Sequence, residues 1–216
     1  MYYNDIELIV TQIKDISSKR RLIYINYEPA FALYNSEIKK YNIEPEHAVS
    51  HETLMKINSE ILYKRALTRA VSLLKDKDYT EYELKNKLKK SYYSDYAVDN
   101  VIEYVKQHRY VDDERYAYNY INFKSGTKSR YQIMYFLKNK GISKNIIDSC
   151  CEEFYAENGE VELNSLIDKI KRLNIPAEDF SYEKKCKIIN KFYRKGFNVD
   201  LIKKALDIVF ADVDNY

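Results

Sequence analysis

Three histidines, His47, His51 and His108, are the residues of this 216-residue chain most suited to metal or proton chemistry. His47 and His51 stand one helical turn apart, close enough for two imidazoles to share a zinc ion. Ser50 reads as a helix cap between them, and no carboxylate or cysteine completes a ligand set. Asp112-Asp113 offers two adjacent carboxylates, the raw material of acid–base catalysis. They fall at an expected helix start, where a cap and negative charge suit the helix dipole. The cysteines Cys150, Cys151 and Cys186 form no C-x-x-C pair, and their odd number fits the reduced thiols of a cytoplasmic protein. No catalytic residue, metal ligand or cofactor site follows, so the expectation is a protein that is not an enzyme.

The remaining chemistry is cationic. Lys85, Lys87, Lys89 and Lys90 form one group. Lys128, Arg130, Lys138 and Lys140 form a second, with no acid between Thr127 and Gly141. Lys184, Lys185, Lys187, Lys191, Arg194 and Lys195 form a third. Lysines at a helix C-terminus offset its dipole by about 0.3–1 kcal/mol each. That accounts for one or two per helix but not for the recurrence across the chain. A periodic basic stripe suits an acidic protein surface or a nucleic-acid backbone. Twenty-three tyrosines invite the same two readings. Aromatics among lysines can stack on single-stranded bases, but Tyr116 and Tyr120 beside Phe123 have the spacing of a helical core. Tyr63, Tyr104 and Tyr118 fit half-buried sites with the hydroxyl in water.

These side chains need elements to hold them, and glycine and proline say which. Four Gly and three Pro occur, where average usage predicts about 15 and 11. Sandwiches and barrels need many glycine-bearing turns, and nucleotide-binding sheets need clustered glycines. The chain therefore reads as mainly α. Lys+Arg 36 against Asp+Glu 33 leaves a net charge of +3. No apolar run approaches the length of a membrane span, and residues 1–5 lack the features of a secretory signal. A soluble, cytoplasmic, monomeric protein is the expectation.

A repeat organises the helical part. Leu88, Leu137 and Phe192 align, with Leu84, Ile133 and Ile188 one turn upstream. Six residues downstream come the expected helix caps Ser94, Ser143 and Asn198. Beyond each cap, apolar residues recur at i, i+3, i+4 and i+7: Val98, Val101, Ile102, Val105; Ile147, Cys150, Cys151, Phe154; Ile202, Ala205, Leu206, Val209. That is one stripe of a 3.6-residue helix. Gly141 and Gly196 stand where a helix ends in a left-handed residue, free of any Cβ penalty. Tyr92 stands there in the first copy, so that turn is expected to be distorted. A further helix precedes each pair, over about Ile61–Leu74, Asp113–Phe123 and Val161–Lys171. Thr80-x-x-Glu83 has the form of a capping box.

Residues 5–34 have another texture. Ile6, Leu8 and Val10 alternate with less apolar neighbours, Leu22–Ile25 is β-branched and aromatic, and Ser17–Arg20 is a turn signal. Ala30–Tyr34, after a break at Pro29, supplies a third strand. The expected organisation is a small antiparallel β meander with a linking helix from about Ser50 (residues 1–60), then helix-turn-helix-like trihelical repeats over 61–111, 112–160 and 161–216. Units this small bury too little to stand alone, so they stack, here in an extended arc.

Three segments carry a resemblance. Tyr110-Val111-Asp112-Asp113-Glu114-Arg115-Tyr116-Ala117 is similar to the aromatic-x-[DN]-D-x-x-aromatic-Ala segment of the RecX family, bacterial regulators of the RecA recombinase. Leu137-Lys138-Asn139-Lys140-Gly141-Ile142 resembles its L-x-x-K-G-[IV], and Thr80-Glu81-Tyr82-Glu83-Leu84 with Leu88 its S-x-x-E-[LV]-x-x-x-L. The resemblance runs from about residue 61 to the C-terminus, and the N-terminal sheet is like the extension of longer Gram-positive members. The family's Lys-Gly-Pro is here Ser125-Gly126-Thr127-Lys128, and the third repeat diverges most. The resemblance implies a DNA-repair and recombination regulator of the SOS response. Such a protein binds the RecA filament on single-stranded DNA and lowers its ATPase and strand exchange. The alternative is a tandem-module nucleic-acid-binding protein acting without RecA. Asp95, Asp99 and Glu103, then Asp148, Glu152 and Glu153, make the third helices acidic, which opposes insertion into a DNA groove. Any contact with single- or double-stranded DNA is therefore expected to be weak.

Overall fold

In the computed structural model, which describes residues 7–176 and 179–211, the chain forms two compact units, Met1–Asp112 and Asp113–Tyr216. The first begins with strands β1 (Val10–Asp15), β2 (Arg20–Ile25) and β3 (Glu28–Tyr34) in the antiparallel order β1-β2-β3. β1 starts later than the alternation at Ile6, Leu8 and Val10 suggests, and Ile6 lies outside the described residues. Leu8–Val10 is bonded instead to the segment that follows the sheet: Val10 N–H donates to the His47 carbonyl at 2.9 Å, and Val49 N–H to that of Leu8 at 2.8 Å. A register shift between Val10 and Gln12 then changes the parity of the strand, so that Val10 and Ile13, three apart, both pack on the core. Pro29, read as a break, lies inside β3. It is tolerated because β3 is an edge strand and pairs there with Tyr24 at a second register shift.

After α1 (Asn35–Lys40), the Ser50 hydroxyl accepts from Thr53 N–H and starts α2 (His51–Lys56) as expected. α2 does not stop before the first repeat. It runs through a π-helical turn, Ile57–Leu62, into α3 (Tyr63–Asp76). The division expected between residues 60 and 61 thus falls within that turn. One apolar core also spans it, joining Val10, Ile23, Phe31 and Leu33 of the sheet to Ile57, Leu62, Ala66, Ala70 and Leu88. A three-stranded sheet is marginal alone, and these helices supply its second layer.

α4 (Glu81–Lys89) starts at Thr80, whose hydroxyl accepts from Glu83 N–H, and α5 (Asp95–Gln107) at Ser94, whose hydroxyl accepts from Ala97 N–H. The second unit repeats this plan twice. α6 (Asp113–Lys124), α7 (Arg130–Asn139) and α8 (Lys144–Glu157) enclose one core. α9 (Val161–Lys171), α10 (Tyr182–Tyr193) and α11 (Val199–Val209) enclose another. Ser143 and Asn198 cap α8 and α11 through their side chains. Every apolar position of the three aligned stripes is buried except Val209, which is half-buried. Each buried aliphatic side chain contributes about 1.5–3 kcal/mol.

Gly141 and Gly196 both take φ +81°. The residues after them, Ile142 and Phe197, donate back to Leu137 and Phe192 carbonyls at 3.2 Å, closing the helix ends as left-handed caps do. The expected distortion at Tyr92 does not occur, since Tyr92 adopts the same left-handed backbone at φ +60°. Its carbonyl accepts from Ala32 N–H of β3 at 2.8 Å, a contact that offsets part of the roughly 1–2 kcal/mol conformational cost.

Candidate functional site

The three basic groups differ once their partners are seen. On α4, Lys85 bonds Asp99 Oδ1 at 2.6 Å and Lys89 bonds Asp95 Oδ1 at 2.7 Å. The Asp99 bond also raises the Lys85 amine above its ordinary pKa. The acidic face of α5 is therefore turned toward lysines of its own module, and each such exposed pair is worth about 0–1 kcal/mol. Lys87 lies over the Tyr79 ring at 5.7 Å, and Lys90 is the exposed C-cap residue of α4. On α10 the pattern recurs: Lys184 pairs with Asp179, Lys185 with Asp207 and Lys187 with Glu183. Lys191 and Arg194 are exposed there.

The second module is different, because the α7 stretch contains no acid. Lys128 and Lys140 both approach the Phe136 ring, at 5.7 and 5.4 Å, and Tyr120 stacks on the same ring at 4.1 Å. Lys138 is exposed beside Tyr131 and Tyr135, which stack on each other at 6.4 Å. With Met134, Ile142 and Ile147 these tyrosines line a groove of about 440 Å³ between α7 and α8. Arg130 does not join this surface. Its guanidinium lies over the Tyr155 ring at 5.2 Å and its backbone N–H donates to Glu162 Oε1 at 2.9 Å, so it ties the second module to α9.

That joint brings further cations together. Ser129 caps α7, and its hydroxyl donates to the Lys195 carbonyl at 2.7 Å, while the Ser165 hydroxyl donates to the Gly126 carbonyl at 2.8 Å. Lys128 and Lys195 thus stand on adjoining backbone, with Lys195 lying over Phe192. Lys169 on α9 bonds Ser165 Oγ, and its amine is held below its ordinary pKa by burial, then by the charges of Arg172 and Lys195. Sequence reasoning missed Lys169 and Arg172 because it looked for basic charge only on the second helix of each repeat. It also assigned the tyrosines chiefly to packing. Tyr63, Tyr104 and Tyr118 are half-buried as expected; Tyr116 and Tyr120, whose spacing suggests core, are half-buried too, but Phe123 is 76% exposed. Phe123 follows the buried Ala117 and Ile121 by intervals that turn it off their face. Tyr131, Tyr135 and Lys138 had a usable signal: at i, i+4 and i+7 they form a stripe beside the buried Ile133 and Leu137.

The residues first considered for catalysis have structural surroundings. His47 Nδ1 lies 2.9 Å from the Pro45 carbonyl, and His108 stacks on Tyr104 at 4.1 Å. Asp113 opens α6, and Cys150 and Cys151 are buried in the α6–α8 core, where burial pushes the Cys151 thiol up. Among the described residues no three His, Cys, Asp or Glu side chains gather closely enough to hold a metal ion, and no helix is long and apolar enough to cross a membrane.

Comparison with known proteins agrees with this plan. Residues 66–104 match the RecX first three-helix domain and residues 112–150 the RecX second three-helix domain. A regulatory protein RecX of Caldanaerobacter subterraneus subsp. tengcongensis is 30% identical over 203 residues, which cover 93% of this chain and 99% of the relative. The regulatory protein RecX of Finegoldia magna is 29% identical over 91% of this chain and 98% of its own length. A crystal structure of regulatory protein RecX superimposes with a TM-score of 0.60 at 20% identity, covering 93% of this chain and 99% of the other. That of RecX from Lactobacillus salivarius gives 0.62 at 21%, covering 68% and 96%. These structural likenesses concern the fold.

Proposed function

The chain belongs to the RecX family of regulatory proteins, and from that premise we propose that it binds the RecA filament on single-stranded DNA and lowers its ATPase and strand exchange. The observation that carries this reading is the correspondence with proteins named regulatory protein RecX over nearly their whole length. The electrostatics support a surface for it. Lys128 and Lys138 have no carboxylate partner among the described residues, and with Lys140 they place positive charge and aromatic rings on the second module. Lys195, Lys169 and Arg172 continue it across the joint with α9 and α10.

Three trihelical modules, over 61–111, 112–160 and 161–216, would contact several filament protomers at once. Each added contact is then effectively intramolecular and raises affinity by multivalency. An extended, monomeric arrangement is part of this proposal, and a solution scattering profile of a single sphere-like particle would contradict it. The activity is tested by the steady-state ATPase of RecA on single-stranded DNA. Inhibition that saturates near stoichiometry is expected, and unchanged turnover at an excess of this protein rejects the reading. Tight binding to naked DNA at physiological salt, with a steep log–log salt slope, would instead favour a nucleic-acid-binding protein acting without RecA.

A further inference from the structure

Where the sheet meets the first helical bundle lies a polar cluster that contains none of the lysines considered above. Arg20 at the start of β2 donates through Nη2 to the Ser91 carbonyl at 2.9 Å, at the end of α4. Arg65 on α3 donates through Nη2 to Glu37 Oε1. The other oxygen of Glu37 accepts from Tyr34 N–H at 2.8 Å, so both carboxylate oxygens are already engaged. The Arg20 and Arg65 guanidinium groups lie against one ring, that of Tyr34, at 5.9 and 4.6 Å from its centroid. Arg69 follows Arg65 by one helical turn and shares its face of α3, and it is exposed. The Tyr93 hydroxyl, which donates to the Arg65 carbonyl at 3.4 Å, stands within the field of all three arginines.

Two features of this cluster are unresolved by the protein itself. Arg20 Nε and Arg65 Nη1 are shielded from solvent and have no hydrogen-bond acceptor. Buried donors almost always have one, and an orphaned donor calls for a missing water, ion or ligand. Charge is also out of balance: Glu37, bonded to Arg65, is the one carboxylate paired with Arg20, Arg65 or Arg69 among the described residues. The excess of two positive charges matches a dianion. The guanidinium fork, with parallel N–H groups, matches the oxygens of a phosphate better than a spherical halide. The Tyr34 ring lies against both guanidinium groups. It is 38% exposed, and an exposed side chain changes rotamer on the picosecond-to-nanosecond scale.

We propose that Arg20, Arg65 and Arg69, with Tyr34 swung aside, form a binding site for a dianionic phosphate, either inorganic phosphate or the terminal phosphate of a monoester. The anion takes an N–H from each of the two inner arginines and is closed in by Arg69. The site is independent of the surface assigned above to a protein partner, and it joins sheet to bundle, so occupancy rigidifies the first unit.

The test is the thermal unfolding midpoint of the full chain in increasing inorganic phosphate, with chloride holding ionic strength constant. A saturable rise is expected, since a ligand bound only to the folded state stabilises it by mass action. Arg69→Gln, an exposed substitution, and Arg20→Gln should each weaken the apparent affinity by about tenfold or more, the value of one lost charge-assisted contact. No phosphate-specific rise overturns the proposal. So does a rise unaltered in both variants, which would place phosphate elsewhere, as at Lys169, Arg172 and Lys195. A nucleoside monophosphate arm separates the two sources: a rise equal to or above that with inorganic phosphate identifies the monoester, and a weaker one identifies the free ion. An oligonucleotide without terminal phosphates should compete with neither. Competition that depends on Arg69 would mean a diester site and reject the dianion.

Discussion

Gly196→Ala is the substitution whose cost can be worked most fully from the geometry. The residue has φ +81°, and an added Cβ would lie 2.7 Å from Tyr131 Cδ1, 2.9 Å from Tyr131 Cβ and 3.1 Å from Ser129 Oγ. The left-handed backbone alone costs an alanine roughly 1–2 kcal/mol. The contacts add the expense of overpacking, about 1–3 kcal/mol. They cannot be relieved by a rotamer change, because Tyr131 Cβ is fixed to the backbone of α7. Against this, alanine loses less conformational entropy than glycine on folding, a gain of about 0.4–1 kcal/mol. The expected net loss is about 1–4.6 kcal/mol, which lowers the unfolding midpoint of a unit of this size by roughly 5–25 °C. Urea and thermal unfolding of the full chain, followed by circular dichroism, measure it. Gly126→Ala is the control, because no atom lies within 4 Å of the added Cβ there, and its effect should stay within about 0.5 kcal/mol. Equal effects of the two substitutions would refute the claim that α7 rests on the turn after α10.

Four further outcomes follow from the same contacts. Lys138→Glu with Lys140→Glu should weaken RecA filament binding at unchanged helicity. Lys85→Glu with Lys89→Glu, whose lysines already face Asp99 and Asp95, should weaken it less, and a larger loss from the second pair would reverse the assignment. Ser129→Ala removes both the α7 cap and the donor to the Lys195 carbonyl, and should cost about 2 kcal/mol in urea unfolding. Tyr155→Phe deletes a buried hydroxyl that has no hydrogen-bond partner, so stability should be unchanged or higher by about 1 kcal/mol. Burial, then the Glu162 charge, raises the Tyr155 pKa well above the ordinary tyrosine value. The unfolded chain therefore releases this proton first. Its contribution is full below the unfolded pKa of about 10 and is lost as pH rises from there toward the folded value. The urea midpoint should fall less steeply above that pH in the Phe variant than in the parent, and identical slopes would contradict this.

Much of the candidate surface was legible as composition and little of it as geometry. The acid-free stretch from Thr127 to Gly141 marks the part of the second module where Lys128 and Lys138 have no carboxylate partner among the described residues, and a count of charges finds it. The same count places Lys85 and Lys89 on an outward basic stripe, whereas packing of α4 on α5 gives them Asp99 and Asp95. Arg130 belongs to the lysines by sequence and to Tyr155 and Glu162 by contact.

What the amino-acid order determined by itself is whatever closes within a turn or two of helix. The buried stripes from Val98, Ile147 and Ile202, the caps at Ser94, Ser143 and Asn198, and the left-handed turns at Gly141 and Gly196 depend on neighbours three to seven residues away. Tyr92 marks the limit, since a non-glycine residue keeps that turn because Ala32 of β3, distant in the chain, bonds its carbonyl. The tertiary structure alone decided that the sheet shares a core with the first bundle and that Tyr131 meets Gly196. It alone gathered Arg20 and Arg65 around Tyr34. Those contacts join segments dozens of residues apart, where no period in the sequence records which surfaces meet.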